Sequence, residues 1–464
     1  MNAISGEGGA GPGSTLLVRD AAHIWCGNGE EMAGASILCS GGQIARIGKP
    51  GPDWPVADRI VDARDCLVVP GLINTHHHLY QTLTRAFSPA LGGDLFQWLT
   101  TLYPVWARLD EESAYLSAWV GLAELLLSGC TTSSDHLYVH PRGRQGLIDA
   151  EIHAARDVGI RFHATRGSMS LSVEDGGLPP VDVVQDEDEI LADSDRLVRA
   201  FHDAAPGAMT RVGLAPCSPF SVSTSLMQRS AALARELGVR LHTHLAETAN
   251  EEEYCRETFG VGPYALAEQL DWLGPDVWLA HAVWTRPEDV AVLARTMTSV
   301  AHCPTSNMMI GAGMCPVREM REAGVNVGLG CDGSAAHDAS DLWGEVRQAM
   351  LLARLRGGAA AFSARDALEL ATRGSAACLG RDDIGSIEVG KRADLACFPL
   401  DGISVSGAVL DPVEAAVRCA VRGARITVVE GRVVVEEGRL VADAESVVDR
   451  HGKIAAEWAE AARG

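Results

Sequence analysis

The 464-residue chain lacks the features of a membrane-spanning or secreted protein. It has no uninterrupted apolar run near the roughly 20 residues that are needed to cross a bilayer. The first thirteen residues have neither the basic nor the apolar part of a secretion signal. We therefore expect a cytoplasmic protein without a membrane partner, and a disordered leader over residues 1–14.

Paired cysteines and an excess of basic charge are also missing. The 12 cysteines are scattered, and none forms a Cys-x-x-Cys pair. This spacing argues against a thiolate metal cage or a disulfide framework and predicts small, buried cysteines in a reducing compartment. The formal net charge of −22 argues against a nucleic-acid partner.

The sequence does contain enough apolar residues, 47%, for a large core. Short β-like runs occupy both ends of the chain, and in the middle long helical stretches alternate with apolar strand candidates. Such alternation is typical of a parallel α/β fold. The strand candidates of the middle are residues 161–164, 210–214, 240–244, 277–281, 299–302 and 325–329.

This arrangement predicts an α/β protein, a (β/α)8 TIM-like barrel with a small β-sandwich domain built from both chain ends. The barrel is expected over residues 70–384, within the roughly 250 to 400 residues that one such unit can contain. The β-sandwich is expected to combine residues 15–69 and 385–445. A C-terminal helix is predicted for residues 446–464.

Three consecutive histidines, His76, His77 and His78, directly follow the apolar run of residues 66–74. Side chains alternate between the two faces of a strand, so His76 and His78 are expected to point one way and His77 the other. Two imidazoles on one face at a strand end form half of a divalent-metal site.

Four more candidate site residues stand where predicted central strands end. His244, His281 and His302 close successive strand candidates, and Asp332 follows the last one. Each alone is more often a structural residue, but each gap can hold one helix. Because chemistry in a (β/α)8 barrel lies at the C-terminal ends of the strands, these residues are expected to share one site.

Five segments give the chain a family resemblance: residues 70–78, 244–247, 302–307, 332–334 and 385–395. They resemble the amidohydrolase superfamily and, more narrowly, its branch of mononuclear-metal aminohydrolases and deaminases. The resemblance extends from about residue 15 to 440, with the motifs in the order that is usual for that branch.

The resemblance implies one divalent metal, held by His76, His78, His244 and Asp332. Zinc suits imidazole and carboxylate ligands with a position left open for water, and Fe²⁺ is the alternative. A carbamate-forming lysine would bridge two metals in such a site. No lysine stands at a strand end here, which favours a single metal.

The resemblance also implies a hydrolytic mechanism in which metal-bound hydroxide attacks the substrate. Asp332 would accept the proton of the water, and Glu247 would protonate a ring nitrogen and later the departing amine. His281 would polarise the substrate or stabilise the hydroxide. His302 would either orient Asp332 or simply pack.

The segments at residues 79–86, 94–99, 102–106 and 213–219 resemble the 8-oxoguanine deaminases. This implies conversion of 8-oxoguanine to urate and ammonia, a reaction of purine metabolism. Gln81 would hydrogen-bond the heterocycle, Trp98 would pack on its face and Cys217 would lie against the 8-oxo edge. Alternatively, Trp98 and Cys217 are core residues.

Other functions remain open at this point. Isoxanthopterin deaminases and s-triazine hydrolases of the hydroxyatrazine type, which remove chloride or an alkylamine, have closely related patterns. Residues 333–340 depart from the 8-oxoguanine deaminase pattern, in which Ser-Asn would replace Ala336 and His337, and His337 is expected near the metal. A catalytically inactive metal-binding scaffold is the remote alternative. The partners expected are a small heterocyclic substrate and further copies of the chain in a homo-oligomer.

Overall fold

The computed structural model describes residues 14–462. The leader expected over residues 1–14 therefore lies, apart from Ser14, outside the described residues. The strands of the described chain are β1 (Thr15–Trp25), β2 (Glu31–Ser40), β3 (Gln43–Gly48), β4 (Arg59–Asp62), β5 (Cys66–Pro70), β6 (Leu72–Asn74), β7 (Cys130–Leu137), β8 (Arg161–Ser168), β9 (Thr210–Pro216), β10 (Leu241–Leu245), β11 (Val277–His281), β12 (Ser299–His302), β13 (Val327–Leu329), β14 (Leu395–Pro399), β15 (Ile426–Val429), β16 (Arg432–Glu436) and β17 (Arg439–Leu440).

Most helices lie between the strands of the central region. The α-helices are α1 (Leu95–Trp106), α2 (Glu111–Leu127), α3 (Leu147–Val158), α4 (Glu187–Phe201), α5 (Thr224–Leu237), α6 (Ala249–Phe259), α7 (Pro263–Gln269), α8 (Pro287–Thr296), α9 (Pro304–Met309), α10 (Val317–Glu322), α11 (Leu342–Gly357), α12 (Ala364–Glu369), α13 (Ser375–Cys378), α14 (Pro412–Arg418) and α15 (Glu445–Ala461). Shorter 3-10 helices cover Leu79–Thr84, Ser88–Ala90, Val173–Asp175, Val181–Val183 and Ile403–Val405, and a π-helical turn covers Leu370–Gly374.

Strands β6 to β13 form one parallel sheet in chain order, as a (β/α)8 barrel requires. The last strand returns to the first: the Thr75 amide donates to the Leu329 carbonyl at 3.0 Å, and the Asp332 amide donates to the His76 carbonyl at 3.0 Å. All six strand candidates of the middle region are confirmed. The barrel is therefore nearly closed, and its strand ends face one another.

The strands of both chain ends form a second, mixed sheet in the order β17-β16-β15-β14-β5-β1-β2-β3, with β4 paired to β1. This sheet has its own buried core, which includes Val18, Ile37 and Leu395. The chain passes from β5 of this sheet to β6 of the barrel at Gly71. A Cβ there would lie 2.2 Å from Thr131 Oγ1, so only glycine fits this crossing.

A buried ion network joins the two sheets. Arg161, at the start of β8, donates to both oxygens of Asp394 at 3.1–3.2 Å and to Glu430 at 2.7 Å. Asp394 precedes β14 and Glu430 follows β15, so both carboxylates belong to the mixed sheet. Because the Arg161 side chain is only 1% exposed, its charge is compensated by these partners rather than by water.

The observed elements can be compared with the predicted boundaries. The C-terminal helix α15 begins at Glu445, one residue before the predicted start, and the described chain ends shortly after it. The domain boundaries themselves stay predictions. All cysteines are free and all but Cys419 are buried, in agreement with the expectation from their spacing. Within residues 14–462, no helix has the length and apolarity required to cross a membrane.

Candidate active site

Buried histidines and acids converge at the C-terminal end of the barrel. His76 and His78 follow β6, His244 and His281 lie in β10 and β11, and Asp332 follows β13. The structure thus brings the four predicted ligands and His281 to one end of the barrel. Their ligand atoms belong to two overlapping groups that share His76, and His136 of β7 joins the first group.

The distances between these ligand atoms match the spacing around a small cation. His78 Nε2 lies 3.1 Å from His244 Nε2, and Asp332 Oδ1 lies 3.3 Å from His76 Nε2 and 3.2 Å from His78 Nε2. Tetrahedral ligands about 2.0–2.1 Å from zinc are roughly 3.3 Å apart. These three separations therefore fit a divalent metal held between the four residues.

The outer ring nitrogens determine which tautomers these histidines adopt. His78 Nδ1 lies 2.7 Å from the His136 carbonyl, and His244 Nδ1 lies 2.7 Å from the Cys217 carbonyl. A carbonyl can only accept, so each Nδ1 must donate. Each neutral ring then presents the lone pair of Nε2 to the centre of the cluster, as a metal ligand requires.

His76 is oriented in the same way by a second histidine. His242 Nδ1 donates to the Trp278 carbonyl at 2.8 Å, which leaves His242 Nε2 as an acceptor. His76 Nδ1 lies 2.7 Å from this acceptor and donates to it. The buried Nε2 of His76 has no hydrogen-bond partner within residues 14–462 and faces the cluster. Such an unpartnered nitrogen is a further sign of a metal ligand.

Burial and local charge agree with this arrangement. Burial lowers the pKa of His76 and of His244 well below the ordinary value, so both rings are neutral. His78 differs: burial lowers its pKa, but the Asp332 carboxylate more than offsets this and the pKa is raised. The cluster therefore attracts positive charge at the position where His78 meets Asp332.

Two residues of the site have unusual backbone conformations. His281 has φ 70° and Asp332 has φ 65°, and neither is a glycine. Non-glycine residues in this region are uncommon and cluster at functional sites. At Asp332 the turn lets the Gly333 amide donate to Oδ1 at 2.7 Å, which fixes the carboxylate toward His76 and His78.

Glu247 lies at the edge of this cluster, with Oε1 3.6 Å from His281 Nε2. Burial, and then the charge of Asp332, raise the pKa of Glu247 to about 8. Its backbone is held by a second buried acid, Glu251, which accepts from the Ala246 amide at 2.8 Å and the Glu247 amide at 2.9 Å. The backbone of Glu247 is thus fixed beside the cluster, and burial favours the protonated form of its carboxyl group.

A cavity opens beside the cluster. The three predicted substrate contacts, Gln81, Trp98 and Cys217, all line it, together with His281 and Glu247. Trp98 Nε1 donates to the Ala335 carbonyl at 3.3 Å, and Gln81 Oε1 accepts from the Ala335 amide at 3.2 Å. The amide nitrogen of Gln81 is buried without a partner in the described chain and remains available to a ligand.

Other histidines that the sequence singled out lie outside this cluster. His77 turns away to Ser340 Oγ at 3.0 Å. His302 is buried at the end of β12, and its Nδ1 has no partner in the described part of the chain, so no hydrogen bond to Asp332 is made through it. His337 bonds Glu345 Oε1 at 2.8 Å and does not line the cavity, whereas Ala336 does.

Sequence reasoning missed several residues that shape the site. His136 stands near the end of β7, a strand that the sequence did not reveal because it is mostly polar, and its ring stacks on His244 with centroids 4.7 Å apart. Glu251 completes the capping-box pattern of residues 248–251, which marks it as a first-turn acid. Tyr103 and Tyr138 line the cavity, and no pattern in the sequence distinguishes them from core residues.

The fold and site together define a TIM-barrel enzyme with a buried His/Asp centre of metal-binding geometry. The amidohydrolase family model matches residues 67–434, and the chain belongs to this family.

Three known proteins illustrate the similarity. The chain is 47% identical over 419 residues to the 8-oxoguanine deaminase of Pseudomonas aeruginosa, covering 90% of this chain and 93% of that protein. It is 38% identical to an isoxanthopterin deaminase from an unknown prokaryotic organism, covering 83% and 85% of the two chains. The zinc complex of the atrazine chlorohydrolase from Arthrobacter aurescens TC1 superposes with a TM-score of 0.91 at 34% identity, covering 95% of this chain and 100% of that one.

Proposed function

We propose that this protein is a metal-dependent hydrolytic deaminase of a purine-like heterocycle, with 8-oxoguanine as the substrate and urate and ammonia as the products. The observation that carries the proposal is the cavity that joins the His/Asp cluster, the protonated Glu247 and the free Gln81 amide. The similarity to the 8-oxoguanine deaminase of Pseudomonas aeruginosa over nearly the whole chain supports this choice of substrate.

His76, His78, His244 and Asp332 would hold one divalent metal, and we propose zinc. Their 3.1–3.3 Å spacing and the inward lone pairs of the three rings support this assignment. When bound, such a metal lowers the pKa of a coordinated water toward about 7 and so supplies a nucleophile at neutral pH. Zinc in the similar atrazine chlorohydrolase structure favours it over Fe²⁺.

The side chains around the cluster would then transfer protons and stabilise the reacting groups. Asp332, whose Oδ2 faces His281, would accept the proton of the attacking water. Glu247 would donate its proton to a ring nitrogen, then take up the proton of the hydroxyl group that has added to the carbon and pass it to the departing amine. The proton held by Asp332 would afterwards restore the protonated form of Glu247. His281 is held neutral by burial, and its Nδ1 donates to Asn307 Oδ1, so its Nε2 would accept a hydrogen bond from the attacking hydroxide.

The substrate would occupy the cavity with its amino-bearing carbon toward the cluster. Gln81 would donate its unpartnered amide to the ring, and Trp98 would pack against it. Cys217 lies beside His244, with Sγ 3.8 Å from Nδ1, and would contact the 8-oxo edge. Because His337 points to Glu345 instead of the cavity, an effect on substrate choice would come from Ala336.

A triazine hydrolase or isoxanthopterin deaminase is the second candidate function, supported by the full-length similarity to both kinds of protein. Location in the cytoplasm, assembly into a homo-oligomer and absence of a nucleic-acid partner stay predictions from the sequence.

Turnover of a substrate panel tests the proposed function. Ultraviolet-monitored assays with 8-oxoguanine, guanine, isoxanthopterin, cytosine and hydroxylated triazines are expected to give the highest kcat/KM for 8-oxoguanine, with release of ammonia. Turnover of isoxanthopterin alone or of a triazine alone would establish the second candidate. Absence of turnover on 8-oxoguanine and guanine would refute the substrate proposal, and absence on all compounds would refute the proposed function.

The pH dependence should report the protonation of Glu247. We expect kcat/KM to fall about tenfold per pH unit above the pKa of Glu247, because the ionised side chain has no proton to donate. This alkaline limb is expected at or below about pH 8. A bound cation favours the carboxylate and moves this limb to lower pH. The measurement is kcat/KM against pH for two substrates of different ring pKa.

The Glu251→Gln variant is the control for this profile, because burial raises the pKa of Glu251 to about 7, close to the same range. The alkaline limb should persist in this variant. A profile that stays flat to pH 10 in the parent enzyme would contradict the role of Glu247 as acid.

A further inference from the structure

A chain of buried hydrogen bonds connects helix α11 to the active site through Glu345. The Glu345 side chain, 1% exposed, accepts from the Thr305 amide at 3.0 Å and from the Thr305 hydroxyl. His337 Nε2 donates to the same carboxylate at 2.8 Å. A buried carboxylate with three donors is fully compensated, so these contacts hold it in one orientation.

Helix α9 needs an external partner at its first turn. Its N-cap residue, Cys303, supplies no side-chain acceptor, and Pro304 follows it without an amide hydrogen. Free amide groups at a helix start require an acceptor, and a carboxylate is favoured there by the helix dipole. Glu345 fills this role from a different helix, and thereby determines where the first turn of α9 lies.

The next two residues of that turn act on the reaction centre. Ser306 Oγ donates to Asp332 Oδ2 at 2.5 Å, and Asn307 Oδ1 accepts from His281 Nδ1 at 3.0 Å. The second contact leaves His281 Nε2 as the nitrogen facing Glu247 and Asp332. A displacement of the α9 turn would therefore move both residues that surround the attacking water.

We propose that Glu345 is a positioning residue of this active site, which orients Asp332 and His281 through Thr305, Ser306 and Asn307. The inference rests on the proposed function, since it concerns the same reaction. It assigns no substrate or metal contact to Glu345, which does not line the cavity. His337 supports the carboxylate from the other side: burial lowers the pKa of His337, but Glu345 outweighs this and the pKa is raised.

The test is the Glu345→Gln variant, which keeps the volume of the side chain but removes its charge and one acceptor oxygen. Loss of partners behind a reacting group typically costs about 10- to 100-fold in activity. We expect a decrease of this size in kcat, a nearly unchanged KM and unchanged metal content. Glu345→Asp, which restores the carboxylate, should recover part of the loss.

A readout independent of activity is the visible spectrum of the Co²⁺-loaded protein, whose bands depend on ligand geometry. We expect these bands to change in Glu345→Gln, because Asp332 is no longer held by Ser306 in the same place. The matched control is Val346→Ala, a truncation of the buried neighbour on α11. It should lower the melting temperature while kcat and the spectrum stay as in the parent protein.

The outcomes of these experiments distinguish the positioning role of Glu345 from the proposed function. If Glu345→Gln behaves like Val346→Ala, with a lower melting temperature but parental kcat and spectrum, Glu345 is only structural and the inference is overturned. Should Glu345→Gln fail to fold, Thr305→Val, which removes one hydroxyl of the same contact, decides by the same measurements. If the parent protein turns over no compound, the proposed function fails, whereas the Co²⁺ comparison still decides the role of Glu345.

Discussion

The Glu247→Gln variant is expected to bind its metal fully and to lose kcat by on the order of 10³- to 10⁴-fold, the upper range for removal of a general acid-base group. Gln and Glu have the same shape, so the cavity and the cluster remain in place. The amide cannot donate an acidic proton to the ring nitrogen. The measurements are kcat with 8-oxoguanine and metal content by elemental analysis.

The structure makes this a strong prediction because Glu247 is isolated from other acids that could replace it. Its Oε1 lies 3.6 Å from His281 Nε2, inside the cavity, and burial raises its pKa and so favours the protonated form. Glu251 is committed to two backbone amides behind it. No other carboxyl group except Asp332 lines the described cavity, and Asp332 is needed at the cluster.

Glu251→Gln is the control for this experiment, since it changes an equally buried acid only a few residues away. We expect it to lose much less activity than Glu247→Gln. Turnover near the parental level in Glu247→Gln would refute the proton-donor assignment. Loss of metal from that variant would instead indicate that Glu247 is a ligand.

The His244→Ala variant should lose its metal and, with it, activity by at least about 10³-fold. The variant removes one of the four proposed ligands, whose Nε2 lies 3.1 Å from that of His78. The ion then has one imidazole bond fewer to the protein and is bound more weakly. Metal stoichiometry after dialysis against a chelator, together with kcat, measures the effect.

His302→Ala provides the comparison, because His302 also is a buried histidine at the end of a barrel strand. It belongs to neither group of potential ligands among the described residues, so it should retain the metal. Full stoichiometry in His244→Ala would show that His244 is not a ligand. Metal loss in His302→Ala would show that His302, which is not among the four proposed ligands, takes part in metal binding.

Much of the fold could be predicted from the sequence. The six central strand candidates are apolar runs with a clear start and end, and each became a barrel strand. Strand β7 was not among them, because its residues 130–137 are mostly polar. Their polar groups bond within the barrel: Ser134 donates to the His163 carbonyl, and Asn74 donates to Ser133. Apolar periodicity cannot detect a strand whose burial depends on such partners.

The family prediction is confirmed by the match over residues 67–434, and the chain is an enzyme of the amidohydrolase family. The alternation that separated His76 and His78 from His77 also agrees with the structure, although β6 ends at Asn74, before the histidines. The roles assigned to the individual site residues stay predictions. His337 shows a limit of pattern reasoning: it lies near the site in sequence, yet its side chain points to Glu345.

The sequence by itself determined the fold class and the kinds of residue at the strand ends, because strand and helix periods are local properties of the chain. Only the tertiary structure decided which ring nitrogen each histidine presents, since that depends on carbonyls such as those of His136, Cys217 and Trp278, far away in sequence. It likewise decided that Glu345 reaches the first turn of α9. Hydrogen bonds between distant segments have no periodicity, and they become visible only when the barrel closes.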